Sequence, residues 1–423
     1  MKLDDLNTLP AEQWLPDRIE AMLRVHEGRW VADFRGLVLH SHFQAIVSPA
    51  HRRIVGAEAL IRAWAEDGRP VSPPQVFSRA VTESDIVMLD RLTRALHMRN
   101  FAAESRQGWL FLNTHPVAIT NGRCYGSFLE EMIRRTGLDG SRIVIEVLES
   151  EIIDERHFAG AVDYYRRFGC LIAIDDFGKG HSNIDRIWRL KPDVVKLDRC
   201  LVVEAARSQT LQRVMPGLVS LLHQSGCLVL AEGVETADEA VMAMDADVDF
   251  IQGYLYARPS SAILADAEVA PALDRTWSDY RVAVEGARRH YHGRVGPYRS
   301  GVEFAAVLLE SGRSLDEAAA AFLALPGADR CYLLDADGWQ VGPNVLNPAA
   351  RDRADPRFAP ISDPAGANWS RRHYFRRAMA EPGQVQVTRP YLSITGVRQC
   401  ITLSRLVRYC GMQVVLCGDV NWS

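Results

Sequence analysis

Two patterns alternate along roughly the first 260 residues: short apolar runs that stop on a polar side chain, and longer stretches with apolar residues at i, i+3 and i+4. The runs are 53–58, 109–113, 142–147, 171–176, 194–198, 227–232 and 250–253. Their length and β-branched content predict strands, and 76–102, 159–168 and 211–224 between them predict amphipathic helices. Strands that are apolar throughout belong to a parallel sheet covered on both faces, so the class is α/β. Seven strand–helix units and an opening strand near 37–47 predict a closed, TIM-like (β/α)8 barrel, ending where Pro259-Ser260 breaks the pattern. A polar, helical segment is expected ahead of it.

After the barrel, Trp277, Tyr280 and Val284 are spaced for one face of a connecting helix. Two further helices are expected, at 302–309 and after Ser314, which stands at capping-box spacing from Glu317. The pattern then changes to strands. Residues 331–342 read as two strands around an Asp337-Gly338 turn, and 384–392, 399–409 and 412–417 as three more, an antiparallel α+β module. The organisation expected is a barrel over 1–261, a helical linker over 262–299 and an α+β domain over 300–423.

A length of 423 residues exceeds one ordinary core and agrees with that division. With 48% hydrophobic and 24% charged residues, the composition is that of a soluble globular protein. A net charge of -4 and a pI near 6.3 argue against a nucleic-acid polymer or a membrane surface as partner. Met1 to Asp5 lack a basic region followed by an apolar core, and no run approaches the ~20 apolar residues of a membrane helix, so a cytoplasmic location is expected. The eight cysteines form no C-x-x-C pair and read as small buried hydrophobes, which argues against zinc or redox chemistry.

The run 171–176 ends on two adjacent carboxylates, Asp175 and Asp176, before a glycine loop. Buried side by side, they would repel unless cations or donors neutralise them; alternatively, one caps a turn and the other faces water. The other runs bear on the choice. Glu58, Asn113, Glu146, Lys196, Glu232 and Gln252 also end, or nearly end, predicted strands, where a barrel of this type builds its active site. Carboxylates and carboxamides without His or Cys suit Mg²⁺ or Mn²⁺ and not zinc or copper; Ca²⁺ would bind without necessarily supporting turnover. Five carboxylates exceed the need of one Mg²⁺ with its waters, so two ions about 3.5–4 Å apart, bridged by Asp175, are the economical reading. Lys196 would orient the attacking water or offset phosphate charge. Any one of these residues alone equally suits a helix cap or a loop ion pair.

The segment Glu58-Ala59-Leu60-Ile61-Arg62 resembles the signature of the EAL-domain cyclic di-GMP phosphodiesterases. Further elements of that family are similar to Phe111-Leu112-Asn113-Thr114-His115-Pro116, Glu146-Val147-Leu148-Glu149, Asp175-Asp176-Phe177-Gly178, Lys196-Leu197-Asp198-Arg199, Ala231-Glu232-Gly233-Val234-Glu235 and Gln252-Gly253, in order over about residues 35–260. The resemblance implies hydrolysis of cyclic di-GMP to linear pGpG and a homodimer. It implies Glu58, Asn113, Glu146 and Asp175 around one metal, and Asp175, Asp176 and Glu232 around the second. Lys196, Glu232, Asp176 and Glu235 form the implied catalytic set, with Lys196 positioning the water. Gln44, Leu60, Arg62, Asp198 and Gln252 lie on the implied substrate side, Asp198 also tuning Lys196, and Glu149 braces the loop after Asp176. The chain departs from the pattern at Phe43-Gln44-Ala45-Ile46, at Val81-Thr82, and at Lys179 and His181 in the loop, which continues into Ser182-Asn183.

From about residue 300 the chain resembles a PAS/Cache-like sensor, through Leu334-Asp335-Ala336-Asp337-Gly338, Trp369 to Phe375 and Thr388-Arg389-Pro390-Tyr391. An unidentified small ligand is implied there, with Arg372, Tyr374 and Tyr391 as contacts; a packed aromatic cluster is the competing reading. For the whole chain the alternatives to an enzyme regulated by that domain are a catalytically inactive cyclic di-GMP receptor, and a structural partner protein, which leaves the strand-end acids unexplained.

Overall fold

The computed structural model describes residues 16–104, 107–115, 117–118, 126–148, 155–180, 184–348, 364, 366–393 and 399–422. Its contacts divide the chain into two compact units at Ala283/Val284.

In the first unit, the short helix Pro16–Ala21 leads into β1 (Leu23–His26) and β2 (Arg29–Phe34), an antiparallel hairpin that adds to β3 (Leu37–Ser48). Among the described residues, the segment expected to be helical ahead of the barrel is one short helix followed by this hairpin, in which Ala32 and Phe34 alternate into the core and their burial outweighs the polar Asp33 between them. β4 (Arg53–Ala65) follows β3 after a turn of four residues, too short for a crossover, so the two pair antiparallel. After the two-residue β5 (Pro70–Val71) come β6 (Trp109–Asn113), β7 (Ile143–Leu148), β8 (Leu171–Phe177), β9 (Val194–Leu197), β10 (Leu228–Ala231) and β11 (Phe250–Ile251). β4 and β6 to β11 form a continuous parallel ladder, and β3 closes the ring by pairing antiparallel with both β4 and β11. The result is a TIM-like barrel of eight strands among the described residues, one of them reversed.

Outer helices cover the barrel where the periodicity predicts them. The helix expected over 76–102 is two, Pro73–Phe77 and Glu83–Ala103, because Thr82 turns extended and caps the second: its side chain accepts from the Asp85 N–H, and Asp85 accepts from the Thr82 N–H.

The helix Asp266–Glu310 runs unbroken for 45 residues. The linker and the separate helix expected at 302–309 are therefore one element. Gly296 and Pro297 suggest a stop, but Val295, Val302, Ala305, Ala306 and Leu309 are buried in the core of the second unit, and that packing overrides local propensity. The second unit adds the helices Leu315–Leu323 and His373–Ala380 and the strands β12 (Ala328–Leu334), β13 (Gln340–Leu346), β14 (Gln386–Val387), β15 (Tyr391–Leu392), β16 (Gln399–Tyr409) and β17 (Met412–Asn421). These strands pair antiparallel in the order β13-β12-β17-β16-β14, with β15 on β16. Tyr332 and Tyr374 stack edge to face at 6.5 Å, while the Arg372 guanidinium lies 5.9 Å from both the Trp369 and the Tyr391 ring centres.

Among the described residues, no helix is long and apolar enough to cross a membrane.

Candidate active site at the carboxyl ends of the barrel strands

The period of two along a strand determines which residues share the barrel interior. Ile46, Phe111, Val144, Ala173, Val194, Leu230 and Phe250 form an apolar cluster inside the ring. Two residues further toward the mouth, on the same face of each strand, stand Gln44, Asn113, Glu146, Asp175, Lys196, Glu232 and Gln252. β4 completes the ring with Gly56 below and Glu58 above. The intervening residues, such as Ala57, Leu112, Ile145, Ile174 and Leu197, face the outer helices. A side chain at Gly56 would lie 2.7 Å from the Trp109 carbonyl oxygen, so glycine leaves that part of the interior to Phe111.

Asp175 and Asp176 are neighbours in sequence, and a regular strand would send them to opposite faces. β8 breaks register with β9 between Ile174 and Phe177, and Asp176 takes a positive φ of 59°, uncommon for a side chain larger than glycine. Its N–H donates to Asp175 Oδ1 at 2.8 Å. Phe177 then faces the outer core, and the ligand oxygens of Asp175, Asp176 and Glu232 all lie within 4.8 Å of one another. Backbone strain of this kind concentrates at functional sites.

Lys196 is fully buried at the centre. Its Nζ lies 2.5 Å from Glu146 and from Glu232, 3.5 Å from Asp175 and 3.7 Å from Glu58. Burial opposes its charge, but Asp175, Glu146, Glu232 and Glu58 outweigh burial and hold the ammonium well above the usual lysine range. One ammonium cannot balance four carboxylates. Burial, with Glu58 beside it, pushes Glu146 well above the carboxylate range; burial likewise raises Asp175 against the pull of Lys196 and pushes Glu232 up to about 8. Burial also works against Glu58, yet Lys196 and donors from Gln252 at 2.8 Å and Asn113 at 2.9 Å keep it low.

Glu146 Oε2 and Gln252 Oε1 are buried without a hydrogen-bond partner. Orphaned oxygens, unbalanced carboxylates and a hard-oxygen donor set fit divalent cations of the Mg²⁺, Mn²⁺ or Ca²⁺ type.

Gln44 donates to the Ala257 carbonyl at 3.2 Å and accepts from Gln252 at 3.3 Å. Leu60 and Arg62 continue the inward face of β4 above Glu58, and Arg62 donates to its neighbour's carbonyl at 2.8 Å. Asp198 caps the helix Arg199–Arg207 by accepting from the Cys200 N–H at 2.8 Å. Glu235 pairs with Arg199, which also donates to the Gly233 carbonyl at 3.2 Å. Lys179 reaches Asp176 Oδ2 at 2.9 Å. Glu149, His181, Ser182 and Asn183 lie outside the described residues.

An open pocket of about 200 Å³ lined by Glu58 and Glu232 has two walls that the strand-end argument missed, Arg199 and Tyr254. Both follow strand ends by two or three residues, so a search extended into the loops would have included them. Tyr254 is 47% exposed, with the Arg258 guanidinium 4.3 Å from its ring centre.

A β/α barrel with an acid-lined mouth at its strand ends is the class that fold and site define. The chain belongs to the EAL-domain family, whose model, described as EAL domain, matches residues 33–259, more than half of the chain. RocR of Pseudomonas aeruginosa, named a cyclic di-GMP phosphodiesterase, is 28% identical over 260 residues, covering 58% of this chain and 64% of RocR. PdeB of Escherichia coli, named a probable cyclic di-GMP phosphodiesterase, is 28% identical over 221 residues, covering 51% of this chain and 42% of PdeB. The chain spans between 27% and 64% of the length of the curated relatives it matches. Among solved structures, YkuI of Bacillus subtilis, a protein with an EAL domain in complex with substrate c-di-GMP and calcium, superposes with a TM-score of 0.78 at 22% identity. That likeness covers 91% of this chain and 96% of YkuI, and it establishes the fold.

Proposed function

We propose that this protein is a cyclic di-GMP phosphodiesterase that opens one phosphodiester of the cyclic dinucleotide to give linear pGpG. The carrying observation is the set of Glu58, Glu146, Asp175 and Glu232 around Lys196 in an EAL-domain barrel, with Asn113 on Glu58 and Asp176 grouped with Asp175 and Glu232. In this reading Glu58, Asn113, Glu146 and Asp175 hold one divalent ion, and Asp175, Asp176 and Glu232 a second, Mg²⁺ or Mn²⁺. Such a pair, when bound, activates water and offsets charge on the phosphodiester oxygens. Lys196, held charged, acts as a hydrogen-bond donor that orients the water and not as a base. The water oxygen bonds to phosphorus, the P–O ester bond breaks, and the leaving oxygen takes up a proton. In this reading Arg62, Arg199 and Gln252 contact the substrate, with Gln44 and Leu60 on the same side, and the Arg199–Glu235 ion pair supports Arg199 in that role.

The C-terminal unit is, in the same reading, a PAS/Cache-like sensor whose ligand state sets the turnover of a cytoplasmic homodimer. The domain limits 1–261, 262–299 and 300–423 belong to this proposal. Its support is the resemblance of the Asp-Ala-Asp-Gly turn and the Trp369 to Tyr391 segment, together with the α+β architecture there.

The test incubates the purified protein with cyclic di-GMP and Mg²⁺, Mn²⁺ or Ca²⁺ and separates the products by chromatography. pGpG formed with Mg²⁺ or Mn²⁺ and suppressed by a chelator is the expected outcome. Tight binding without pGpG under every metal would overturn the enzyme and favour a receptor; neither binding nor turnover would favour a structural role.

A further inference from the structure

Asn113 has a shorter side chain than the glutamates of the site, so its reach depends on where the backbone stops. β6 pairs as far as Asn113 opposite Glu146, and the Thr114 N–H donates to the Glu146 carbonyl at 3.0 Å. The next N–H, that of His115, has left the ladder. It donates at 2.9 Å to Asp90 Oδ1, a carboxylate on the helix Glu83–Ala103.

Asp90 is 3% exposed and its other oxygen is held by Arg94, itself 4% exposed. Arg94 reaches the Tyr165 hydroxyl at 3.5 Å and lies over the Phe128 ring, while its Nε is buried without a partner. A buried ion pair contributes little net stability compared with apolar side chains of the same volume. This one places a fixed acceptor under a backbone N–H two residues beyond Asn113, whose Nδ2 donates to Glu58 at 2.9 Å and whose Oδ1 is thereby available to a cation.

We infer that Asp90 is a positioning residue for the metal site: through the His115 N–H it sets the end of β6, and with it the amide of Asn113, while Arg94 holds the Asp90 side chain in place. The inference rests on the metal-binding part of the proposed function. Losing a group that orients a ligand weakens metal affinity by about 10–100-fold.

The test measures Mn²⁺ uptake by equilibrium dialysis of the full chain, together with Tm, for the wild type, Asp90→Asn, Asp90→Ala and the double variant Asp90→Leu/Arg94→Leu. Asp90→Asn keeps an acceptor oxygen but leaves Arg94 unbalanced, so Tm falls while Mn²⁺ affinity stays within a few-fold of wild type. The double variant removes both buried charges, so Tm recovers while Mn²⁺ affinity stays about 10–100-fold low. Asp90→Ala loses on both counts. Affinity that follows Tm across the series, or that is unchanged in every variant while the wild type binds Mn²⁺, overturns the inference alone. A wild-type chain that takes up no Mn²⁺ overturns both the inference and the proposed function.

Discussion

Two layers of the barrel interior lie two residues apart on the same strands and obey opposite rules. The lower layer, Ile46, Phe111, Val144, Ala173, Val194, Leu230 and Phe250, is apolar and filled. The upper layer gathers Glu58, Glu146, Asp175 and Glu232 around one lysine, with three of the four carboxylates held above their usual range by burial and oxygen atoms left without partners. The lower layer gains free energy from removing apolar area from water. The upper layer costs free energy, which apolar burial in the rest of the barrel offsets. Stability and chemistry are thus separated by a single step of the strand period, and substitutions in the two layers should have opposite signatures.

The largest effect expected is in the upper layer. Glu58→Ala and Asp176→Asn should each lower pGpG formation by at least about a thousandfold, the loss of several kcal/mol of charge stabilisation, as read by product chromatography. Glu146→Gln should do the same and yet raise Tm in metal-free buffer, since it removes a buried carboxylate whose charge the fold disfavours. A lower Tm for this variant would break the contrast.

In the lower layer, Phe111→Ala should cost about 3–5 kcal/mol in a denaturant titration, because Phe111 is wholly buried and Gly56 beside it offers no side chain to fill the cavity.

A third group belongs to neither layer and should govern acid sensitivity. His97 is buried, accepts or donates at 2.8 Å to Ser41, and burial pushes it down to about 3. Between its unfolded value near 6.5 and that folded value, the unfolded chain binds a proton that the folded chain does not. Stability is therefore lost as pH falls through this window, by about 1.4 kcal/mol per pH unit for one group. From pH 6.5 to 5.0 the wild type should lose about 2 kcal/mol more than His97→Gln, measured by urea unfolding at both values. Equal losses would place the acid sensitivity elsewhere.

The smallest effect concerns Lys179, whose ammonium occupies the Asp176 carboxylate in an exposed pair. Lys179→Ala should tighten Mn²⁺ binding by about two- to fivefold in dialysis, the scale of an exposed ion pair. A weaker affinity would mean that Lys179 helps the loop and does not compete with the ion.

The sequence alone determined the barrel and most of its mouth. Apolar runs closing on Glu58, Asn113, Glu146, Asp175, Lys196 and Glu232 are local signals, because strand period and apolar content are properties of a few consecutive residues. What only the tertiary structure decided involves groups far apart in the chain or backbone conformations that no local pattern encodes. The bulge and positive φ at Asp176 bring two neighbouring carboxylates to one mouth. The hairpin β1–β2 exists because β3 offers it an edge. The helix Asp266–Glu310 passes Gly296-Pro297 because its far half is buried in the second unit. Asp90 reads as a polar residue on an outer helix until the fold brings it beneath the His115 N–H, 25 residues away. Burial and partnership are set by the whole chain, so the residues that hold the site in place were less legible than those that form it.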